Sequence, residues 1–195
     1  MAHSPNSHIQ SDRPLEEYRE YLHLLARLEF DHRFEGKLDI SGVVQQTLLE
    51  AHQNMAQCRG QSDDQRTNWL RKILANNLTD EIRRLGAACR DVSREVSLDV
   101  ALGDSSCRLQ PCLTGDESSP SQKLNREEQL LRMADALARL PDDQRRAVEL
   151  HHLKGCPLAE VAADMGRSKG AVASLVFRGL GKLRNILESE WENGN

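Results

Sequence analysis

The sequence predicts an all-α chain built as two small helical domains joined by a flexible link, and three observations carry this. Apolar residues recur three and four positions apart over most of the chain, the period of an amphipathic helix. Only 38% of the 195 residues are apolar and 4% aromatic, a supply that suits thin helical cores rather than one thick globule. Between them, residues 91–122 lose the period: the run GDSSCRLQPCLTGDESSPS is Ser, Gly, Pro and Asp in linker proportions.

Taken in order, residues 1–14 are a polar lead with Pro5 and Pro14, expected to be disordered. This lead has no positive stretch followed by an apolar run, so it is not a signal peptide. No apolar run approaches membrane-spanning length, and the expected location is the cytoplasm. The first domain covers 15–90. Leu15, Tyr18, Leu22, Leu25 and Leu28 line one helix face, and Gly36 marks a break. A second helix runs from about Ser41 to Gln57, with Val43, Val44, Thr47, Leu48, Ala51 and Met55 on one side. Turn residues at 58–65 follow, with Asp63 or Asp64 placed to cap a third helix. That helix turns Trp69, Leu70, Ile73, Leu74, Leu78, Ile82 and Leu85 inward, and Arg71, Lys72, Asn76, Asp80, Arg83 and Arg84 outward.

The second domain covers 123–190. A helix runs from about Lys123 to Leu140, and the next starts with Pro141 at its first position and two acids in its first turn. After Gly155 come two short helices with a tight corner. Leu158, Val161, Ala162 and Met165 bury one face of the first. Gly166 supplies the positive φ of the corner, and Ser168 caps the second helix. There Val172, Leu175, Val176, Leu180 and Leu183 point inward, while Ser168, Lys169, Ala173, Ser174, Phe177 and Arg178 are left at the N-terminal turns and one turn on. Such turns read base edges in a helix-turn-helix. Arg178 and Lys169 suit phosphate or guanine, Phe177 suits a thymine methyl, and a polar tail is expected after this helix.

The formal net charge of −4 argues against a protein that holds DNA alone by bulk electrostatics. Five scattered cysteines form no C-x-x-C pair, which suggests reduced thiols. HHLKGC (151–156) lacks a fourth ligand for zinc, so no metal is expected. No phosphate loop, nucleophile motif or His–carboxylate cluster appears, so neither enzymatic activity, a cofactor nor a small-molecule substrate is expected.

Two stretches resemble a known family. DISGVVQQTLLEAHQN (39–54) with WLRKILANNLTDEIRR (69–84) resembles region 2 of bacterial sigma factors of the extracytoplasmic function (ECF) group. The segment from Ala136 to Arg184 resembles their region 4. The resemblance implies a bundle that binds RNA polymerase and the −10 element, and a helix-turn-helix that binds the −35 element. It assigns Val43, Val44, Gln45, Gln46, Leu48 and Leu49 to docking on the β′ clamp helices, with Val44 and Leu48 equally suited to the core. Asn76, Asn77, Asp80, Arg83 and Arg84 fall to the −10 element and its separated strand. Loop 59–65 receives a flipped base, the helix 141–153 contacts the β flap, and the linker runs toward the RNA exit path.

This chain departs from the pattern at Gly42 and Gln46, where acids are usual, and at Ala173 and Leu175, where basic residues are common. The implied partners are core polymerase, promoter DNA and an anti-sigma factor, with no membrane. The family habit of autoinhibition further implies that the free chain folds its halves together and hides its DNA faces. Two other readings share the helix-turn-helix: a dimeric regulator that binds DNA without polymerase, and an adaptor that opens no promoter.

Overall fold

A computed structural model describes residues 13–29, 38–58, 63–87 and 120–193, and the elements it shows are all helical. Pro14, with φ −58°, feeds one 3-10 turn at Leu15–Tyr18, which continues as α1 (Arg19–Glu29). Asp39 then caps α2 (Ile40–Gln53) by accepting the Gly42 amide at 2.9 Å. A Cβ at Gly42 would lie 2.5 Å from the Asp39 carboxylate, so a larger residue there would require that side chain to shift. A short turn at Met55–Cys58 precedes α3 (Asp63–Ala87).

The second half opens with α4 (Pro120–Ala138), whose first turn takes in residues 120–122, read from the sequence as linker. Residues 1–12 and 91–119 lie outside the described residues, as does most of loop 59–65. Helix α5 (Asp142–Val148) is preceded by Pro141, which stands one position before the helix instead of at its start and whose carbonyl accepts from Gln144 and Arg145 at 2.9 Å. The helix then widens into a π-helical turn over Glu149–Leu153. Helices α6 (Leu158–Asp164) and α7 (Lys169–Asn193) complete the chain. The second helix of the expected pair is therefore long, not short. Between Lys182 and Asn193 no proline or glycine interrupts the helix formers, so the stretch expected as a polar tail continues the helix.

Each half has the apolar stripe its sequence gave reason to expect, but the stripes do not close on themselves. One core runs through both halves: Tyr18, Leu22, Leu25, Val44, Leu70, Leu74 and Leu78 share it with Leu130, Ala134, Leu137, Leu140 and Leu183. The joint is α1. Tyr21, Leu24 and Ala26 are buried as well as the expected stripe, and no residue of α1 is exposed. Six of its eleven residues are buried apolar side chains spread over more than half of its circumference, so more than one partner must cover it. Here α2 and α3 cover part of it, and α4 covers the rest. α4 also packs on α3 and α7. Among the described residues, the halves are packed together rather than standing apart on a tether.

Candidate nucleic-acid interface

The C-terminal half builds its DNA-reading geometry from local signals. α6 ends as Met165, Gly166 and Arg167 donate their amides to the Val161, Ala163 and Ala162 carbonyls. Gly166 takes φ 60° and Gly155 φ 74°, the left-handed region that favours glycine. The Ser168 hydroxyl accepts the Ala171 amide at 3.2 Å and so caps α7 as expected. A small second core of Ala147, Val161, Ala162, Val172, Leu175 and Val176 locks α6 against α7. Arg146 pairs with Asp164 at 2.8 Å, and Arg167 pairs with Asp143, tying the corner to α5.

The fit of α7 on α5 is close. Gly179 lies against Val148 and the Gln144 backbone, where an added Cβ would come within 2.9 Å of Val148 Cγ2 and 3.3 Å of the Gln144 oxygen. This approach sets which side of α7 faces out. Ser168, Lys169, Ala173, Ser174, Phe177 and Arg178 all lie on the exposed side, together as expected. Phe177 is 80% exposed, a large apolar ring with no neighbour to bury it. Arg178 Nε donates to the Ser174 carbonyl at 3.2 Å, and the Ser174 hydroxyl donates to Gly170, so both polar groups are held along the helix surface. Leu180 departs from the expected inward stripe and is 38% exposed, because α7 turns Gly179 rather than Leu180 toward α5.

On α3, Asn76, Asp80, Arg83 and Arg84 are exposed. Asp80 pairs with Arg83 at 3.6 Å and Glu81 with Arg84 at 3.1 Å, both surface pairs worth little to stability. Asn77 is not on this face. It is half-buried, its amide donating to Thr47 Oγ1 at 3.2 Å and to Glu50 Oε2 at 3.4 Å, so it ties α3 to α2. Asn68, which the sequence reading passed over, is exposed on the same side as Lys72 and Asn76; its four-residue offset from Lys72 is the signal that finds it.

The α2 residues divide by the same logic. Val43, Val44 and Leu48 are buried in the core, where an apolar side chain facing α1 and α3 belongs. Gln45, Gln46 and Leu49 are exposed, Gln46 bonding Glu50 at 2.7 Å and Leu49 standing 51% open. Three of the six expected docking residues therefore form the surface and three support it from below.

Two further groups bear on the chemistry. His23 on α1 is half-buried, and burial pulls its imidazole below the ordinary value; Glu20 opposes this while Arg27, Arg19 and Arg145 add to it. Cys156 is a free, half-buried thiol pushed up by burial. His151 Nδ1 lies 2.8 Å from the Cys156 carbonyl. No group of three or more metal-ligating side chains occurs among the described residues, nor does any helix long and apolar enough to cross a membrane.

The described residues thus present an exposed face of α7 in a helix-turn-helix, a polar face of α3 and an exposed patch of Gln45, Gln46 and Leu49 on α2. Comparison with known proteins bears on it directly. Residues 130–183 match the family model for sigma-70, region 4. The ECF RNA polymerase sigma factor SigL of Mycobacterium tuberculosis is 30% identical over 75% of this chain and 73% of its own length. SigM of the same species is 25% identical over 95% of this chain and 81% of its own. The ECF RNA polymerase sigma-E factor of Haemophilus influenzae is 25% identical over 80% and 78%. The solved sigma factor RpoE of Bartonella quintana, in complex with the anti-sigma factor NepR, aligns at 22% identity over 89% of this chain and 94% of that one. Its TM-score of 0.34 is too low to bear on the arrangement.

Proposed function

The chain belongs to the ECF group of RNA polymerase sigma factors, and from that premise we propose how its surfaces divide the work of directing polymerase to a promoter. The exposed side of α7 reads the −35 element in the major groove. Lys169 and Arg178 approach phosphate or guanine, Ser174 a base or phosphate, and Phe177 the methyl of a thymine. The outer face of α3, through Asn68, Lys72, Asn76, Asp80, Arg83 and Arg84, holds the −10 element and the separated strand, where amides bond base edges and arginines track phosphate. Gln45, Gln46 and Leu49 on α2 dock on the β′ clamp helices, and α5 contacts the β flap.

The observation that carries this reading is Phe177. An 80%-exposed phenyl ring on the outer side of the helix that a helix-turn-helix sends into DNA stands where it can meet the methyl of a thymine. The net charge of −4 fits a factor whose two modest DNA contacts gain affinity because polymerase holds them at a fixed separation. The protein acts as a non-enzymatic initiation factor in the cytoplasm, and an anti-sigma protein is a further partner of this reading.

The test is capture of core polymerase by the purified protein, together with promoter binding by the assembled holoenzyme. Gln45→Ala combined with Leu49→Ala is expected to weaken core capture, whereas Arg178→Ala should leave capture intact and weaken promoter binding. Core capture that ignores both α2 substitutions would overturn the docking assignment.

A further inference from the structure

The exposed side of α7 carries an apolar strip along its length. Ala173, Phe177 and Leu180 stand at i, i+4 and i+7, the spacing of one helix face, and all three are exposed, Phe177 at 80% and Leu180 at 38%. Basic residues are common in the family at Ala173 and Leu175. Leu175 lies buried in the second core, so Ala173 is the departure that alters the surface. Neighbouring polar groups are already engaged along the helix: the Ser174 hydroxyl donates to the Gly170 carbonyl at 3.0 Å, and Arg178 Nε donates to the Ser174 carbonyl at 3.2 Å. Ala173 and Phe177 bring no side-chain donor or acceptor of their own.

The charge around this strip fits a duplex. Between Met165 and Leu187 the sequence holds Arg167, Lys169, Arg178, Lys182 and Arg184 and no acid, in a chain whose net charge is −4. Lys169, Arg178, Lys182 and Arg184 are exposed and suit the phosphates that border a groove. The expectation that the packed halves hide the DNA faces is not met here, since Lys169, Phe177 and Arg178 are open while α1, α4 and α7 share one core.

In the major groove, the edge feature that an apolar strip can cover is the C5-methyl group of a pyrimidine. Thymine carries that methyl, and cytosine carries it once methylated. The other edge atoms of these bases differ, thymine O4 accepting and cytosine N4 donating, but Ala173 and Phe177 distinguish neither. The two residues are about 6 Å apart along the helix axis, against about 3.4 Å per base step, so methyls one or two steps apart match them. Resting on the sigma reading above, we propose that α7 reads the −35 element through two pyrimidine C5-methyl groups, one under Phe177 and one under Ala173, and accepts 5-methylcytosine in place of thymine. Cytosine methylation within this element therefore raises promoter use instead of blocking it. Lys169 and Arg178 anchor the helix, and the methyls choose the sequence.

The test is promoter binding by core polymerase carrying the full chain, on a promoter it selects from a randomised library. Each position of the upstream box is then replaced in matched pairs, thymine against deoxyuridine and cytosine against 5-methylcytosine, whose members differ by one methyl group alone. Removing the methyl from thymine should weaken binding roughly fivefold or more under Phe177, and about twofold at a second position one or two steps away. At both positions 5-methylcytosine should bind better than cytosine by similar factors. In Phe177→Ala the first effect should vanish and the second remain, and in Ala173→Gly the reverse. A box without thymine, indifference to uracil, sensitivity at one position alone, or 5-methylcytosine that binds no better than cytosine would overturn the proposal. So would methyl effects that survive both substitutions, which would assign them to the deformability of the DNA. The matched templates are compared on the unmodified protein, so a variant that folds poorly does not decide the outcome. A selected box that ignores methyls leaves the sigma reading standing and sinks this one; a protein that captures no polymerase sinks both.

Discussion

At the scale of single residues, exposure and close contact make opposite demands, and α7 shows both within three positions. Phe177 is almost fully exposed, so Phe177→Ala should change stability by no more than about 0.5 kcal/mol. If its ring covers a thymine methyl, the loss in promoter affinity should be roughly 1–2 kcal/mol, about 5- to 30-fold. Thermal melting and holoenzyme binding to matched promoters separate the two quantities. Replacing that thymine by deoxyuridine should reproduce the loss in the unmodified protein and add nothing in the variant. Gly179 is the reverse case. Gly179→Ala pushes a methyl into Val148 and the Gln144 backbone, and the expected outcome is about 1–3 kcal/mol of lost stability in a melt. Gly166→Ala, at φ 60°, should lose about 1–2 kcal/mol through backbone strain alone.

Elements were legible in the sequence to the extent that their signals are local. The cap at Ser168, the positive-φ corner at Gly166 and the α3 stripe through Leu70, Leu74 and Leu78 are written within a turn or two, and all three are present. Ser168→Ala should accordingly weaken the start of α7 by about 1 kcal/mol, seen as a lower melting temperature. α1 was legible only by half. Its expected face is buried, yet Tyr21, Leu24 and Ala26 are buried too, and α1 packs on α4, about a hundred residues away in sequence, as well as on its near neighbours. Asn77 was misplaced for a similar reason: adjacent asparagines point about a quarter-turn apart, and only the position of α2 decides which one is taken inward. The length of α7 was missed because its polar end was read as a tail beyond the helix, although nothing in 182–193 breaks a helix.

On the scale of the whole molecule, the joint between the halves is where pH should act. Burial holds the His23 imidazole below its ordinary value in the folded chain, and Arg27, Arg19 and Arg145 face it with positive charge against the single opposing Glu20. The unfolded chain therefore binds more protons as pH falls through about 6.5, so stability should drop over that range and be regained above it. His23→Gln should reduce the slope of melting temperature against pH between about 7 and 5, leaving the part due to His152, whose imidazole burial also holds low; an unchanged slope would place the whole effect elsewhere. The ion pair of Arg27 with Glu149, which crosses this joint, escaped the sequence reading because a pair 122 residues apart leaves no periodic trace. The central claim, however, concerns the molecule with its polymerase. Its most direct measurement is transcription by core enzyme plus this protein from a randomised promoter library. The account predicts transcripts from templates sharing two boxes at one fixed spacing, and none with core alone. Protection of a palindromic site by the protein without polymerase, with no gain in transcription, would contradict it.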